Sequence, residues 1–212
     1  MCGLSRAYDH SLFTGLIQSL GTICDYEVKG ADARMRIHAG GLDFSDLAEG
    51  DSIAVNGVCL TAVALDVDSF TVDVSAETLH CTSGFVQGAE VNLEKALRLA
   101  DRLGGHLVSG HIDGVGRVVR FNKIGESHCL EIDAPATLAR YIIRKGSITV
   151  NGVSLTVNKV DGGRFALNLI PHTLKMTTLK YLATDARVNL EVDMIARYVE
   201  RLTLYAHTTD KD

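Results

Sequence analysis

The chain has 212 residues and a formal net charge of −5, with no basic cluster and no apolar run near the roughly 20 residues that span a bilayer. Nucleic acid and membrane are therefore not expected as partners, and the N-terminus lacks the apolar core of a signal peptide. Five cysteines (Cys2, Cys24, Cys59, Cys81 and Cys129) form an odd set without a C-x-x-C pair, which reads as reduced thiols in the cytoplasm rather than a disulfide frame or zinc site.

Residues 1–12 show no periodicity and read as a disordered extension, either a cloning remnant or an upstream start. From Phe13 the pattern changes. Met35 to Ala39 and Phe70 to Val74 alternate apolar and polar residues as half-buried strands do, and so do Leu130 to Asp133 and Phe165 to Leu169. Asn56-Gly57 and Asn151-Gly152 are hairpin dipeptides, each set between apolar alternations. Three segments read as helices: Glu94 to Leu103, Pro135 to Ile143, and Met194 to Tyr205. The last carries an apolar stripe of Ile195, Tyr198, Val199, Leu202 and Tyr205.

These elements come twice. Gly15-x-Ile17-x-x-x-Gly21 returns as Gly110-x-Ile112-x-x-x-Gly116, an offset of 95 residues. Val55-Asn56-Gly57-Val58-Cys59-Leu60-Thr61 returns at the same offset as Val150-Asn151-Gly152-Val153-Ser154-Leu155-Thr156. Val91-Asn92-Leu93-Glu94 meets Val188-Asn189-Leu190-Glu191 at 97, so two residues entered between. The chain is a duplicated domain. Many short strands and few helices predict a closed barrel or sandwich for each half. The boundaries expected are 13–104 and 105–193 for the two halves, with 194–212 as a helix and tail. The final helix has no counterpart, so it is a candidate subunit contact, although it could equally fold back on its own barrels.

The midpoint of the chain, Gly104-Gly105-His106-Leu107-Val108-Ser109-Gly110-His111, combines turn-forming glycines with two histidines able to carry protons near neutral pH. Cys59 with Thr61, and Ser154 with Thr156, share a strand face and could line matched polar pockets that differ by a thiol and a hydroxyl. No metal-ligand spacing, phosphate-binding glycine loop or nucleophile elbow is present, so no metal or cofactor is expected. Residue by residue, the chain is a duplicated β-domain with two matched small-ligand pockets.

Taken together, Phe13-Thr14-Gly15-Leu16-Ile17, Asn56 to Thr61, Gly104 to His111, Lys145-Gly146-Ser147-Ile148, Gly152 to Thr156 and Ile170-Pro171-His172-Thr173-Leu174 resemble the riboflavin synthase family of the alpha-chain type, over about residues 13 to 205. The resemblance implies a mainly β fold of two tandem six-stranded Greek-key barrels plus a C-terminal helix that builds a homotrimer. It also implies a cofactor-free dismutation of two molecules of 6,7-dimethyl-8-ribityllumazine to riboflavin and 5-amino-6-ribitylamino-uracil. The active site would lie between barrels of neighbouring subunits, and lumazine synthase is a candidate physical partner.

Carried over by position, the N-terminal pocket would use Gly15, Leu16, Ile17, Cys59, Leu60, Thr61, Asp73, Val74, Ser75, Ala76, Glu77 and Thr78. The C-terminal pocket would use Gly110, His111, Ile112, Lys145, Ser154, Leu155, Thr156, Asn168, Leu169, Ile170, Pro171, His172 and Thr173. The resemblance makes His111 the first choice for proton transfer at the lumazine C7 methyl, with Thr156 in the same catalytic group. Cys59 and Ser154 would assist addition to the ring or orient a water, and Phe13 would stack on or close the pocket. Family members begin Met-Phe-Thr-Gly, whereas Leu12 precedes Phe13 here, so Leu12 could mark an alternative start. The competing function is a lumazine- or flavin-binding antenna protein of the same fold, which would keep one pocket and let the other drift. A flavin-reductase-type barrel would need a nucleotide-binding half that this chain lacks.

Overall fold

The computed structural model describes residues 11–209; residues 1–10, most of the expected extension, lie outside the described residues. The first half contains β1 (Ser19–Lys29), β2 (Asp32–His38), β3 (Ser52–Val55), β4 (Val58–Leu65), β5 (Ser69–Val74), helix α1 (Ala76–Cys81) and β6 (Glu90–Lys95). The second contains β7 (Gly114–Ile124), β8 (Ser127–Asp133), β9 (Ser147–Val150), β10 (Val153–Asp161), β11 (Arg164–Leu169), α2 (Pro171–Met176) and β12 (Arg187–Val192), and α3 (Met194–Thr209) follows. Each set of six strands closes into an antiparallel barrel, β1-β2-β5-β4-β3-β6 and its counterpart β7-β8-β11-β10-β9-β12. Closure removes the sheet edges that a domain this small could not otherwise cover.

Even the irregularities repeat. The β1 register shifts between Ile23 and Asp25, and the β7 register between Val118 and Arg120; β4 shifts between Ala62 and Ala64, and β10 between Val157 and Lys159. Each barrel fills with its own core around a fully buried phenylalanine, Phe70 in one and Phe165 in the other.

The two hairpins set the barrels against each other. Asn56 and Asn151 both have φ near +48° (48° and 47°), and each is followed by a glycine with positive φ, as a tight two-residue turn needs. A Cβ added to Gly57 would stand 2.6 Å from the Gly152 nitrogen, so the two turns meet backbone to backbone. Around them, the buried Asn92 donates to the Asn151 carbonyl at 2.9 Å and Asn189 to the Asn56 carbonyl at 3.1 Å. Each hairpin asparagine in turn accepts a backbone N–H from the other asparagine of its own repeat, Asn56 from Asn92 and Asn151 from Asn189. The side chains of Asn56, Asn92, Asn151 and Asn189 are thus all engaged at the junction, which holds the barrels in one orientation.

Two expected helices are corrected. Glu94 and Lys95 end β6, because that strand must pair with β1 through Ser19–Leu93 and with β3 through Ala54–Glu94 to close the barrel. Between β8 and β9 only a short 3-10 turn forms at Ala139–Tyr141, since Leu138 and Ile142 are both drawn into the second core. The six-residue helices α1 and α2 are too short to leave a helical period in the sequence. The C-terminal helix is where its stripe placed it.

Candidate active site

The segment before each barrel, Phe13–Ile17 and Val108–Ile112, is a strap that starts on its own barrel and ends on the other. Phe13 and Val108 exchange backbone hydrogen bonds at 2.8 and 3.2 Å and so cross where the two halves meet. Beyond the crossing, the Gly15 carbonyl accepts from the Ser154 amide and the Gly110 carbonyl from the Cys59 amide, both at 2.8 Å. Ile17 packs on the core of the second barrel and Ile112 on that of the first. Both glycines have φ +77°, and a Cβ on either would lie 2.6 Å from the Cβ of the residue it approaches. Only glycine fits here.

This arrangement exchanges the strap assignments expected from the sequence. Gly15, Leu16 and Ile17 join Ser154, Leu155 and Thr156 on the C-terminal barrel, whereas Gly110, His111 and Ile112 join Cys59, Leu60 and Thr61 on the N-terminal one. The physical reason is that each strap runs outward from its own first strand across the junction, so it reaches its neighbour's hairpin strand. Phe13 is 0% exposed in the chain and packs with Ala54 and Val108, so it anchors the crossing.

The remaining residues gather at one end of each barrel. Because β4 and β5 run antiparallel through Ala62–Val72, the start of β4 and the end of β5 lie together. Cys59 is half-buried and Thr61 exposed, while Leu60 and Val74 point into the core. Asp73 is held by Arg34 through two 2.6 Å bonds, which keep its carboxyl below the usual carboxylate range. Ser75 then caps α1, accepting from the Thr78 amide, and leaves Ala76 and Glu77 exposed. In the second barrel, Ser154 and Thr156 flank Leu155, and β11 brings Asn168, exposed, and Leu169, buried, to the same end. Ile170, Pro171 and His172 are exposed at the start of α2, with Thr173 half-buried, and Lys145 is exposed on the loop whose amide bonds to Val157.

The two histidines separate. His106 is buried on the C-terminal side, its Nδ1 2.8 Å from the Ser154 hydroxyl, and burial pushes its pKa below the ordinary range, so it is neutral at pH 7. His111 is exposed on the N-terminal side, beside a hollow of about 550 Å³ shared with Ser109, Arg197, Tyr198 and Arg201. Among the described residues, no three His, Cys, Asp or Glu side chains converge as a metal site requires.

Two buried carboxylates are absent from the candidates read in the sequence. Glu94 accepts from the Thr14 amide and hydroxyl, both at 2.7 Å, and from the Gly15 amide at 3.0 Å. Glu191 does the same for the Ser109 amide and hydroxyl, at 2.7 and 2.6 Å, and the Gly110 amide at 3.0 Å. The repeated Val-Asn-Leu-Glu motif is their signal in the sequence.

The comparisons with known proteins agree with this geometry. The lumazine binding domain family matches residues 14–96 and again 109–193, one match per barrel. The riboflavin synthase of Photobacterium phosphoreum is 44% identical over 202 residues, spanning 94% of this chain and 93% of its own. That of Mycobacterium tuberculosis is 46% identical over 197 residues, spanning 90% of this chain and 98% of its own. The chain belongs to the riboflavin synthase family. The Bacillus subtilis member is 38% identical over 192 residues, spanning 90% of this chain and 89% of its own. Among solved structures, LumP complexed with riboflavin superposes with a TM-score of 0.78 at 26% identity, covering 85% of this chain and 98% of that one. LumP complexed with 6,7-dimethyl-8-(1'-D-ribityl) lumazine gives 0.76 at 25% identity, with the same coverage.

Proposed function

We propose that the chain is a riboflavin synthase. It moves a four-carbon unit between two molecules of 6,7-dimethyl-8-ribityllumazine, giving riboflavin and 5-amino-6-ribitylamino-uracil. The observation that carries this reading is that both strap-and-strand constellations are complete, down to matching 2.8 Å bonds at Gly15–Ser154 and Gly110–Cys59. A reaction whose donor and acceptor are the same compound calls for two like pockets, whereas an antenna protein needs one. Holding both reactants in fixed geometry can supply up to ~7–11 kcal/mol of the barrier.

Two further features fit. Neutral His106 beside Ser154, and His111 on the strap next to Cys59, supply proton carriers on both sides of the chemistry. The α3 stripe favours the homotrimer: Ile195, Tyr198, Val199, Leu202 and Tyr205 are all exposed, while α3 is tied back by polar contacts from Glu200 to Arg140 and Tyr141. An active site shared between neighbouring subunits then places one barrel of each against the other. Activity in the cytoplasm and association with lumazine synthase belong to the same reading.

The test is direct. Purified protein incubated with 6,7-dimethyl-8-ribityllumazine alone forms riboflavin and the uracil product in equal amounts. Tight binding of the lumazine with no riboflavin formed would replace this reading with the antenna function.

A further inference from the structure

Glu94 and Glu191 are 3% exposed, at positions where an apolar residue would complete the barrel at lower cost. Burial raises the pKa of both carboxyls, so each is kept in place against its own desolvation. What each gains is a set of three donors on the strap that precedes its own barrel: one hydroxyl and two successive backbone amides. The corresponding lengths in the two copies agree within 0.1 Å. Oε1 takes the hydroxyl and first amide, and Oε2 takes the glycine amide. A carboxylate serves all three, while a glutamine would turn an N–H₂ donor towards one of them.

The gripped residues sit just where each strap leaves its own barrel. The Gly15 amide is held by Glu94, and the Gly15 carbonyl accepts from Ser154 on the other barrel. The Gly110 amide is held by Glu191, and the Gly110 carbonyl accepts from Cys59. One peptide residue is thus fixed from both sides, by a carboxylate of one barrel and by the hairpin strand of the other.

We propose that Glu94 and Glu191 are positioning residues acting across the junction: Glu94, on the N-terminal barrel, sets the ligand pocket of the C-terminal barrel, and Glu191 sets that of the N-terminal barrel. The inference rests on the reading that both barrels bind the lumazine or its product. It differs from a plain structural role in its crossed pattern. A carboxylate that merely stabilised its own barrel would, on removal, loosen the pocket of that barrel.

The experiment titrates riboflavin, read by its fluorescence, into the full chain with one pocket filled. Thr61→Trp blocks the N-terminal pocket and Thr156→Trp the C-terminal one, both at exposed positions. With Thr61→Trp, adding Glu94→Gln weakens riboflavin binding about tenfold, as expected for one lost charge-assisted bond, whereas adding Glu191→Gln leaves it unchanged. With Thr156→Trp the two effects swap. Ser109→Ala removes the hydroxyl donor to Glu191, and Thr14→Val removes that to Glu94 together with the acceptor of the Leu16 amide; both show the same crossed pattern at smaller size, so the test stands even where a glutamine variant fails to fold. Weakening confined to the carboxylate's own barrel, equal weakening of both pockets, or no effect would overturn the proposal. Failure of both singly blocked parents to bind riboflavin or the lumazine would overturn the pocket reading itself, and this inference with it.

Discussion

At the scale of single residues, the duplication supplies matched frames carrying unlike chemistry. His106 and His111 occupy positions that are Ser11 and Leu16 in the first repeat, so both proton carriers come from one copy. Replacing either with alanine lowers turnover by about 10²-fold or more, while riboflavin affinity changes little. Steady-state kinetics and fluorescence titration separate the two quantities, and His38→Ala, on an exposed site of β2, serves as the control. Turnover of the His111 variant close to that of the control would remove His111 from the chemistry. Glu191 makes a second prediction. Burial pushes its pKa up to about 7 from 4.5, so the folded protein holds this proton more tightly than the unfolded chain. Its contribution to stability is therefore fully present below about pH 4.5 and is lost as pH rises through about 7. Glu94 and Asp113, also raised by burial, act in the same direction, and His106, lowered by burial, acts in the opposite one. Comparing Glu191→Gln with the parent isolates the single carboxyl. Urea midpoints of the parent fall across this window relative to those of the variant, and parallel curves would refute the assignment.

At the scale of elements, α3 stands apart. It is fastened to the chain by charged contacts at Glu200 and by Arg197 against the largely buried Asp113, yet its apolar stripe faces outward. A helix with one apolar face must bury it somewhere, and closed symmetry among copies is the usual answer. Ending the chain after Asp193 gives monomers with both barrels folded, as shown by sedimentation velocity and circular dichroism. On the proposed shared site, such monomers bind riboflavin but form it far more slowly. A truncated monomer with full turnover would refute the shared site. The elements also show why some structure was legible in the sequence and some was not. Single strands and both hairpins were readable because period-two alternation and Asn-Gly turns act locally. Glu94 to Leu103 read as a helix because its residues favour one, but closing the barrel outweighs that weak local preference. Six-residue helices hold fewer than two turns, so α1 and α2 leave no period to find.

At the scale of the whole molecule, the repeat was plain in the sequence. The exchange of straps was not. Gly15 and Cys59 lie in one repeat, and nothing in their spacing says that Gly15 will serve Ser154 instead. The information lies in the Phe13–Val108 crossing and in the facing hairpin turns, which are contacts between repeats and leave no local pattern. The role expected for Phe13 came from the resemblance alone; its burial against Ala54 and Val108 adds a junction contact that no local pattern announces.

The straps are joined to the hairpin strands through main-chain atoms, the carbonyls of Gly15 and Gly110 and the amides of Ser154 and Cys59. While Gly15 and Gly110 stay glycine, the side chains shown on the hairpin strands can change without breaking those bonds. The scaffold is thus indifferent to what its pockets display, and a thiol could replace a hydroxyl, or a histidine a leucine, without moving the partner half. Each copy was free to specialise because neither could leave. Two sites that lend each other a wall keep their spacing while their chemistries diverge, and that suits one compound that must play two parts in the same reaction.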